Sequence, residues 1–287
     1  MVIKGTRQGV LLSKYIELWN DIREYFNLMT HTYQVLPAVT KDLKQEAHKV
    51  RHNVYCAELK YEEGNLDGTE KDGYDQHSTQ MVVYSRTEKS YIGCVRLVHG
   101  QHQGSNHHMP LEHHCQNGLN QQVMSMIKSS GHKYAEVSRL AIDREYRHIG
   151  RKKSDRGLGK RPSSKSSCVL LSLYLGVFSL AKQQKIRYLF AMVEPRLLKN
   201  LHHHSIPAMQ IGDGVDHRGL RVPIMIDVED IERIIPKVMR PLYSAIHKDI
   251  SKLLGTVQDD LIPTVEEYAN NAYFTKKVAR AQSTASN

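Results

Sequence analysis

The chain has 287 residues, and its 40 Lys and Arg against 30 Asp and Glu give a formal net charge of +10 at pH 7. Hydrophobic residues make up 40% of the sequence and charged residues 24%, a composition typical of folded domains and too apolar for general disorder. The longest nearly apolar run, Cys168 to Ala181, is shorter than the roughly 20 residues that a membrane-spanning helix needs. The sequence therefore predicts a cytoplasmic protein with at most peripheral membrane contact.

The first predicted elements are helical. Residues 1–38 are expected to form one or two short helices, and a longer helix capped by Thr40 follows. An apolar stripe with helical spacing marks that longer helix: Leu43, Ala47, Val50, Val54 and Ala57. Arg51, Tyr55 and Glu58 share a neighbouring face. Because an unpaired buried charge is costly, Arg51 is expected to have a carboxylate partner.

A loop rich in Gly and Asp follows, from Glu62 to Ser78. Its acidic residues include Asp67, Glu70, Asp72 and Asp75. Two readings of this loop are an exposed acidic turn and a calcium loop. The second lacks the alternating oxygen ligands and the late bidentate Glu of an EF-hand.

Strands are predicted next, first as a hairpin of Thr79–Ser85 and Tyr91–His99 and then as Tyr134–Ile142. Arg96 shares a strand face with apolar residues. In the third strand Glu136 and Ser138 share one face, whereas Arg139 would point to the other face of a regular strand. Either the predicted strand contains a bulge, so that the charged residues serve one cleft, or Arg139 is structural.

The rest of the chain alternates between helices and strands. The predicted helices are 119–127, 168–181, a short one from Pro195, and 229–280; the predicted strands are 186–193, 209–211 and 221–228. This order predicts an α/β sandwich with a mixed sheet and helices on both faces. We expect three segments: a helical 1–38, a central domain over 39–228 and a helical C-terminal extension over 229–287.

The strongest basic cluster lies between Arg151 and Lys165. Three readings are a solvated surface loop, a binding patch for an acidic protein and a nucleic-acid contact. The last has no supporting zinc finger, RNP motif or basic helix, so we expect no nucleic-acid partner. Neither the histidine clusters nor the four scattered cysteines have the spacing of a metal site, and four reduced thiols are expected.

Five short motifs occur in an order and spacing that resemble the acyl-homoserine-lactone synthases. They are Arg51-x-x-x-Tyr55, Tyr61, Glu70-x-Asp72-x-Tyr74-Asp75, Gly93-x-x-Arg96-Leu97 and Glu136-x-Ser138-Arg139. The sequence is still more similar to the long-chain N-acyl amino acid synthases, which include acyltransferases associated with PEP-CTERM/exosortase systems. Further motifs indicate this second group: Val54-Tyr55-Cys56-x-Glu58, Asp75-x-His77-Ser78, Glu194-Pro195-x-Leu197 and Gly219-Leu220-Arg221-x-Pro223. The resemblance runs from about Lys41 to about Val228.

This resemblance implies an N-acetyltransferase-like fold with a V-shaped cleft between its central strands. It also implies transfer of a long-chain fatty acyl group from acyl carrier protein to the amine of an amino acid, with tyrosine a candidate acceptor by analogy, and no cofactor besides the acyl donor. Acyl carrier proteins are acidic, which matches the positive net charge here. Lys152, Lys153, Lys160 and Arg161 are the expected contact patch.

Amide formation from a thioester needs a base that removes a proton from the amine. Glu136 is the candidate base, with Ser138 and Arg139 beside it; the alternative for Glu136 is an ordinary ion pair with Arg139 or Arg51. The expected substrate-binding residues are Arg51, Tyr55, Asp72, Asp75 and Arg96. An ion-pair network that only specifies the fold explains these charges equally well. Likewise, the predicted apolar helix and strand at 168–193 either line an acyl channel or are simply core.

Two other functions remain open from the sequence. One is acyl-homoserine-lactone synthesis, in which acylation is followed by ring closure. The other is a non-catalytic protein of the same fold that binds acyl carrier protein or lipid.

Overall fold

The computed structural model describes residues 31–100, 108–147, 164–203, 206–229, 233 and 235–256. The strands are β1 (Tyr33–Pro37), β2 (Ser78–Ser85), β3 (Ser90–His99), β4 (Lys133–Ile142), β5 (Ile186–Val193), β6 (Ala208–Gln210), β7 (Val215–Asp216) and β8 (Leu220–Asp227). The helices are α1 (Lys41–Arg51), α2 (Pro110–His114), α3 (Gln121–Ser129), α4 (Arg144–Arg147), α5 (Ser164–Gln183), α6 (Pro195–His203) and α7 (Arg240–Thr256).

The strands form one mixed sheet in the order β1-β2-β3-β4-β5-β8-β6, with β7 paired to β8. The β4–β5 pair is parallel, and the other strand pairs are antiparallel. Parallel neighbours need a crossover connection, which α5 provides. The predicted mixed sheet is thus confirmed, and its parallel pair lies at the centre.

Helices cover both faces of the sheet, as predicted. On one face, α5 and α7 pack on alternate residues of the strands, among them Met81, Val95 and Leu97. On the other, α1 packs on Val82 and Cys94, and α2 and α3 enclose a second apolar cluster. Successive strand residues point to opposite faces, so this alternation decides which side chains can meet at one site.

Helix α1 begins as predicted, with the Thr40 hydroxyl accepting a hydrogen bond from the Leu43 N–H at 3.1 Å. After Arg51 the chain continues as a π-helical segment, His52–Glu58. Because the π-helix bonds residue i to i+5, its side chains leave the 3.6-residue period. The predicted stripe is therefore buried from Leu43 to Val54, but Ala57 is exposed.

The prediction of helices over residues 1–38 is wrong at its end, since Tyr33–Pro37 is the edge strand β1, paired with β2. All five of its residues are buried, which explains why no alternating pattern marked it. Residues 1–30 lie outside the described part of the chain.

The other predicted strands and the helices α3, α5 and α6 agree with the structure to within a few residues. The helix predicted over 229–280 begins only at Arg240 in the structure. The short α2, α4 and β7 were not predicted, because none carries a periodic apolar pattern. Helix α7 lies in the expected C-terminal extension and packs against α5; residues 257–287 are outside the description.

Three further observations concern only the described residues. All four cysteines are free thiols, as predicted. No described helix has the length and apolarity to cross a membrane. Within the same ranges, no group of three or more His, Cys, Asp or Glu side chains is arranged to hold a metal ion.

Candidate active site

Two buried arginines, Arg51 on α1 and Arg96 on β3, share one carboxylate oxygen. The Oδ1 atom of Asp75 accepts hydrogen bonds from Arg51 Nη1 at 2.6 Å and from Arg96 Nη1 at 2.9 Å. Arg96 Nη1 also donates to Asp72 Oδ1 at 2.5 Å, and Arg51 Nε donates to Glu70. Arg51 thus has the carboxylate partners that its position required.

Asp75 lies in a short 3-10 turn, Gly73–His77, and Asp72 caps the start of this turn. This described segment is not arranged as a calcium loop. Asp72 and Asp75 form a capping box: Asp75 accepts from the Asp72 N–H at 2.8 Å, and Asp72 accepts from the Tyr74 N–H at 2.9 Å. Burial by itself would raise the pKa of Asp75. The hydrogen bond and charge of Arg51 outweigh burial and lower this pKa to about 2.

Strand β4 contains a bulge, one of the two alternatives that the sequence left open. Opposite β3 its register shifts between the pairs Cys94–Ala141 and Arg96–Ser138, which leaves an extra residue on β4. Arg139 lies in this irregularity with a left-handed φ of 49°. Its guanidinium therefore reaches the same face as Arg96, where Nη2 lies 3.1 Å from Asp72 and 2.8 Å from Glu62.

Glu136 lies on the same face of β4, two residues before the bulge region. It is 1% exposed, and its carboxylate accepts a hydrogen bond from the Leu111 N–H of α2 at 2.7 Å. Burial raises the pKa of Glu136 to about 8, against the opposing effects of that N–H and of Arg96. Within the described residues, Glu136 forms no ion pair with Arg51 or Arg139, so the ion-pair alternative has no support there.

Beyond Glu136 the two parallel strands part. The paired positions of β4 and β5 run from Lys133–Ile186 to Glu136–Phe190, although both strands continue for several residues. A V-shaped opening therefore begins at Val137 and Ala191. Backbone N–H groups at such an opening can bind an oxyanion.

An apolar cavity of about 310 Å³ adjoins this opening on the face covered by α5. Its lining side chains come from five elements around the opening, β4, α5, β5, α6 and β8, and include Val137, Tyr174, Phe178, Ala191, Leu197 and Ile226. Glu136 points to the opposite face of the sheet from Val137. The opening thus lies between an apolar cavity on one face of the sheet and a buried carboxyl group on the other.

Two other predicted site residues, Ser138 and Tyr55, position the arginines of the site. Ser138 Oγ accepts a hydrogen bond from Arg96 Nε at 3.1 Å, so it orients Arg96. Tyr55 donates its hydroxyl hydrogen bond to the Leu140 carbonyl oxygen at 2.8 Å, and its ring lies 5.5 Å from the Arg139 guanidinium carbon. Tyr55 therefore holds the bulge and its arginine. The four predicted patch residues, Lys152, Lys153, Lys160 and Arg161, lie outside the described residues.

Several neighbours of the site were not among the predicted site residues. Glu70 was noted only as part of a motif, yet it bonds both Arg51 and Arg139. The ring of the half-buried Tyr74 lies with its centroid 5.9 Å from the guanidinium carbon of Arg96, and burial, together with the charge of Glu136, raises the pKa of Tyr74. Glu62 links Arg139 to Arg218 of the β7–β8 turn, the latter at 2.6 Å. No local pattern could have predicted that last contact, because it joins residues far apart in the chain.

A family model described as an acetyltransferase (GNAT) domain matches residues 50–152. This range contains β2, β3 and β4 with the charged cluster and Glu136. The match confirms the N-acetyltransferase-like fold class and the acyltransferase class of enzyme predicted from the motifs. No curated protein sequence matches the chain.

Solved structures with a similar chain course include both protein groups that the motifs resemble. FeeM, an N-acyl amino acid synthase from uncultured soil microbes, is 15% identical with a TM-score of 0.46, covering 72% of this chain and 97% of its own. MesI, a CoA-dependent acyl-homoserine lactone synthase, is 18% identical with a TM-score of 0.45, covering 74% and 95%. The AHL synthase LasI is 20% identical with a TM-score of 0.44, covering 69% and 89%. At these identities, substrates must be inferred from the site itself.

Proposed function

We propose that this protein transfers a long-chain fatty acyl group from acyl carrier protein to the amine of an amino acid, with tyrosine as the first acceptor to test. The observation that carries the proposal is the opening between β4 and β5. An apolar cavity lies on one side of it and the buried carboxyl group of Glu136 on the other.

The apolar cavity suits the acyl chain of a thioester. Its volume of about 310 Å³ is within the range of small-molecule sites, roughly 300–1,000 Å³. Burying methylene groups there is favourable by about 0.8 kcal/mol each. With the chain in this cavity, the thioester carbonyl would lie in the opening, where free backbone N–H groups of the parted strands would bind the developing oxyanion.

The amine would approach from the face of Glu136. The Glu136 carboxylate takes a proton from the ammonium group, directly or through one water, and the neutral amine attacks the carbonyl carbon. As the tetrahedral intermediate collapses, the new C–N bond remains and the C–S bond breaks. The nitrogen passes its extra proton to the departing sulfur, which leaves as the thiol. A base with a pKa of about 8 is well matched to this transfer near neutral pH.

The arginine–carboxylate cluster supplies a rigid wall beside this reaction. Arg96 bonds Asp72, Asp75 and Ser138 at once, so its side chain has one well-defined position. We assign Arg51, Glu70 and Asp75 to holding the cluster in position. Arg96 and Arg139 are assigned to the side that faces the acceptor amino acid. Fixed charges of this kind orient a polar substrate without reorganisation during the reaction.

The proposed donor is protein-borne for an electrostatic reason. An acidic carrier is attracted to a chain of net charge +10, and complementary charge raises association rates. The basic cluster of Lys152, Lys153, Lys160 and Arg161 is the proposed contact.

The deciding experiment is product mass spectrometry. Purified full-length protein is incubated with palmitoyl-acyl carrier protein or palmitoyl-CoA and an equimolar mixture of the amino acids. A new N-palmitoyl amino acid with the carrier donor is the expected result. A parallel reaction contains S-adenosylmethionine in place of the amino acids. A lactone product in that reaction would assign the protein to acyl-homoserine-lactone synthesis instead. Binding of the carrier without any new amide would mean a non-catalytic protein.

A further inference from the structure

Two histidine rings meet beside the candidate site. His114 ends α2, and His217 lies in the β7–β8 turn; their ring centroids are 4.2 Å apart with an interplanar angle of 42°. His114 is exposed and His217 is half-buried. The contact joins α2, whose Leu111 N–H bonds Glu136, to the β7–β8 hairpin.

The hairpin turn holds His217 in a fixed position. Arg218 and Gly219 have left-handed φ values of 56° and 94°, and the Gly219 N–H donates to Asp216 at 3.2 Å. Arg218 also donates to the Tyr61 carbonyl oxygen at 2.9 Å, and its guanidinium carbon lies 5.2 Å from the Tyr61 ring centroid. A non-glycine residue in this backbone region needs such support.

The position of His114 relative to Glu136 follows from the helix. Glu136 bonds the N–H of Leu111, and His114 lies three residues further along α2. Leu111 is fully buried and His114 is exposed, so α2 leads from the buried carboxyl group of Glu136 to the surface. An α-amino acid has its amine and its carboxylate on the same carbon. A molecule with its amine at Glu136 would extend its carboxylate toward the group in which Glu62 links Arg139, on the face of Glu136, to Arg218 beside His217.

The surroundings of the ring pair are cationic. Arg139, Arg218 and Arg221 act electrostatically on His217, and the facing acid is Glu62, which Arg139 and Arg218 already share. His114 faces His113, His217, Arg139 and Arg218. Partial burial first, and then these cationic neighbours, lower the pKa of both rings. The N–H groups of neutral imidazoles can donate to a carboxylate, and the neighbouring guanidinium groups would attract such an anion.

We propose that His114 and His217, with the turn held by Arg218, form the subsite that binds the carboxylate of the amino acid acceptor. The subsite selects α-amino acids over amines that lack a carboxylate. This inference rests on the proposed function, because it identifies the acceptor end of that same reaction.

The test compares two product analogues that differ only in the carboxylate, N-octanoyl-phenylalanine and N-octanoyl-phenethylamine. Their dissociation constants are measured by calorimetry on the full-length protein, the His114→Gln/His217→Gln double variant and the single His114→Gln variant. His132→Gln is the matched control, since His132 is exposed and bonds Arg187 elsewhere. Thermal melts of all variants establish that they are folded.

We expect the parent protein and the control to bind the carboxylate analogue about tenfold more tightly, because hydrogen bonds to a charged group are the stronger kind. The double variant should bind the two analogues within about twofold of each other, and the single variant should fall between. A parent protein that does not prefer the carboxylate, or a double variant that keeps the preference, overturns the proposal.

This assay needs no turnover, so the two proposals fail separately. A carboxylate preference that disappears in the double variant, in a protein that forms no amide, would refute the proposed function and leave the subsite standing. Normal amide formation together with equal binding of both analogues would refute the carboxylate subsite and leave the proposed function standing.

Discussion

Glu136 combines three properties that rarely occur together at a structural carboxyl group. It is almost fully buried, it accepts a single backbone hydrogen bond, and burial raises its pKa to about 8. Sequence spacing identified the residue but left an ion pair open. In the structure, the hydrogen-bond partner of this carboxylate is a backbone N–H. This favours a role in proton transfer, because a carboxyl group paired with arginine would have a lowered pKa.

Replacing this group should affect the rate strongly. Glu136→Gln keeps the hydrogen-bond acceptor for Leu111 but cannot take a proton, so we expect kcat/KM to fall at least about tenfold, and by 10²–10⁴ if Glu136 is the only base. In the parent protein kcat/KM should rise as the pH increases through about 8. In the variant kcat/KM should not show this rise. Glu46→Gln, at an exposed carboxylate paired with Lys49, is the control. Equal rates in the Glu136 variant and the parent would return Glu136 to a structural role.

The same carboxyl group should make the fold less stable at alkaline pH. Its pKa is near 4.3 in an unfolded chain and about 8 in the fold, so between these values the folded protein binds more protons. Stability therefore falls as pH rises through that window. We expect Glu136→Gln to raise the melting temperature relative to the parent more at about pH 9 than at about pH 5. A difference independent of pH would mean that Glu136 stays ionised in the fold.

Arg51 illustrates a charge that stabilises only as part of a group. It is fully buried against Glu70 and Asp75, so Arg51→Met would leave two buried carboxylates without their main partner. We expect the free energy of unfolding to fall by about 3–5 kcal/mol, measured by urea denaturation. Lys49→Met, which removes an exposed ion pair, should change it by less than about 1 kcal/mol. Similar losses in both variants would contradict a cooperative buried cluster.

At the scale of elements, the site depends on two departures of β4 from regular strand geometry. The bulge turns Arg139 onto the face of Glu136 and Arg96, and the parting from β5 opens the sheet next to Glu136. A regular, fully paired β4 would place Arg139 on the face of α5 and close the opening. These irregularities are what convert a sheet into a cleft.

The cavity on the α5 face provides an element-scale prediction about the acyl chain. Ala191 lies at the opening and lines the cavity, so Ala191→Leu adds bulk where a long chain would pass. We expect kcat/KM for a palmitoyl donor to fall about tenfold and that for a butanoyl donor to change by less than about twofold. Met209→Leu, at an exposed position of β6, should change neither. Equal losses for both donors would mean that the acyl chain lies elsewhere.

At the scale of the whole molecule, the net charge of +10 predicts how the protein meets its donor. Replacing Lys152, Lys153, Lys160 and Arg161 by Gln should raise KM for an acyl-acyl carrier protein several-fold at low salt, with kcat unchanged. The difference should shrink as salt rises to about 0.5 M, because exposed charges are screened. The same variant should keep its KM for an acyl-CoA donor. Unaltered kinetics at low salt would show that the cluster does not contact the carrier.

The sequence by itself determined much of this protein. Periodicity located α1, and apolar runs located α5 and most strands. The resemblance of the motifs to those of acyltransferases singled out Arg51, Asp72, Asp75, Arg96 and Glu136, while an ion-pair network that only specifies the fold stayed open. The opposite directions of Glu136 and Arg139 in a regular strand left two alternatives, a bulge in β4 or a structural Arg139.

Only the tertiary structure decided which of these residues touch one another. The edge strand β1, buried on both faces, has no alternating pattern that would distinguish it from a helix. The π-helical segment broke the expected period at Ala57. The contacts of His114 with His217 and of Glu62 with Arg218 join distant segments through the packing of loops. Local sequence specifies local geometry, whereas such contacts depend on the relative placement of elements, and no local pattern encodes that placement.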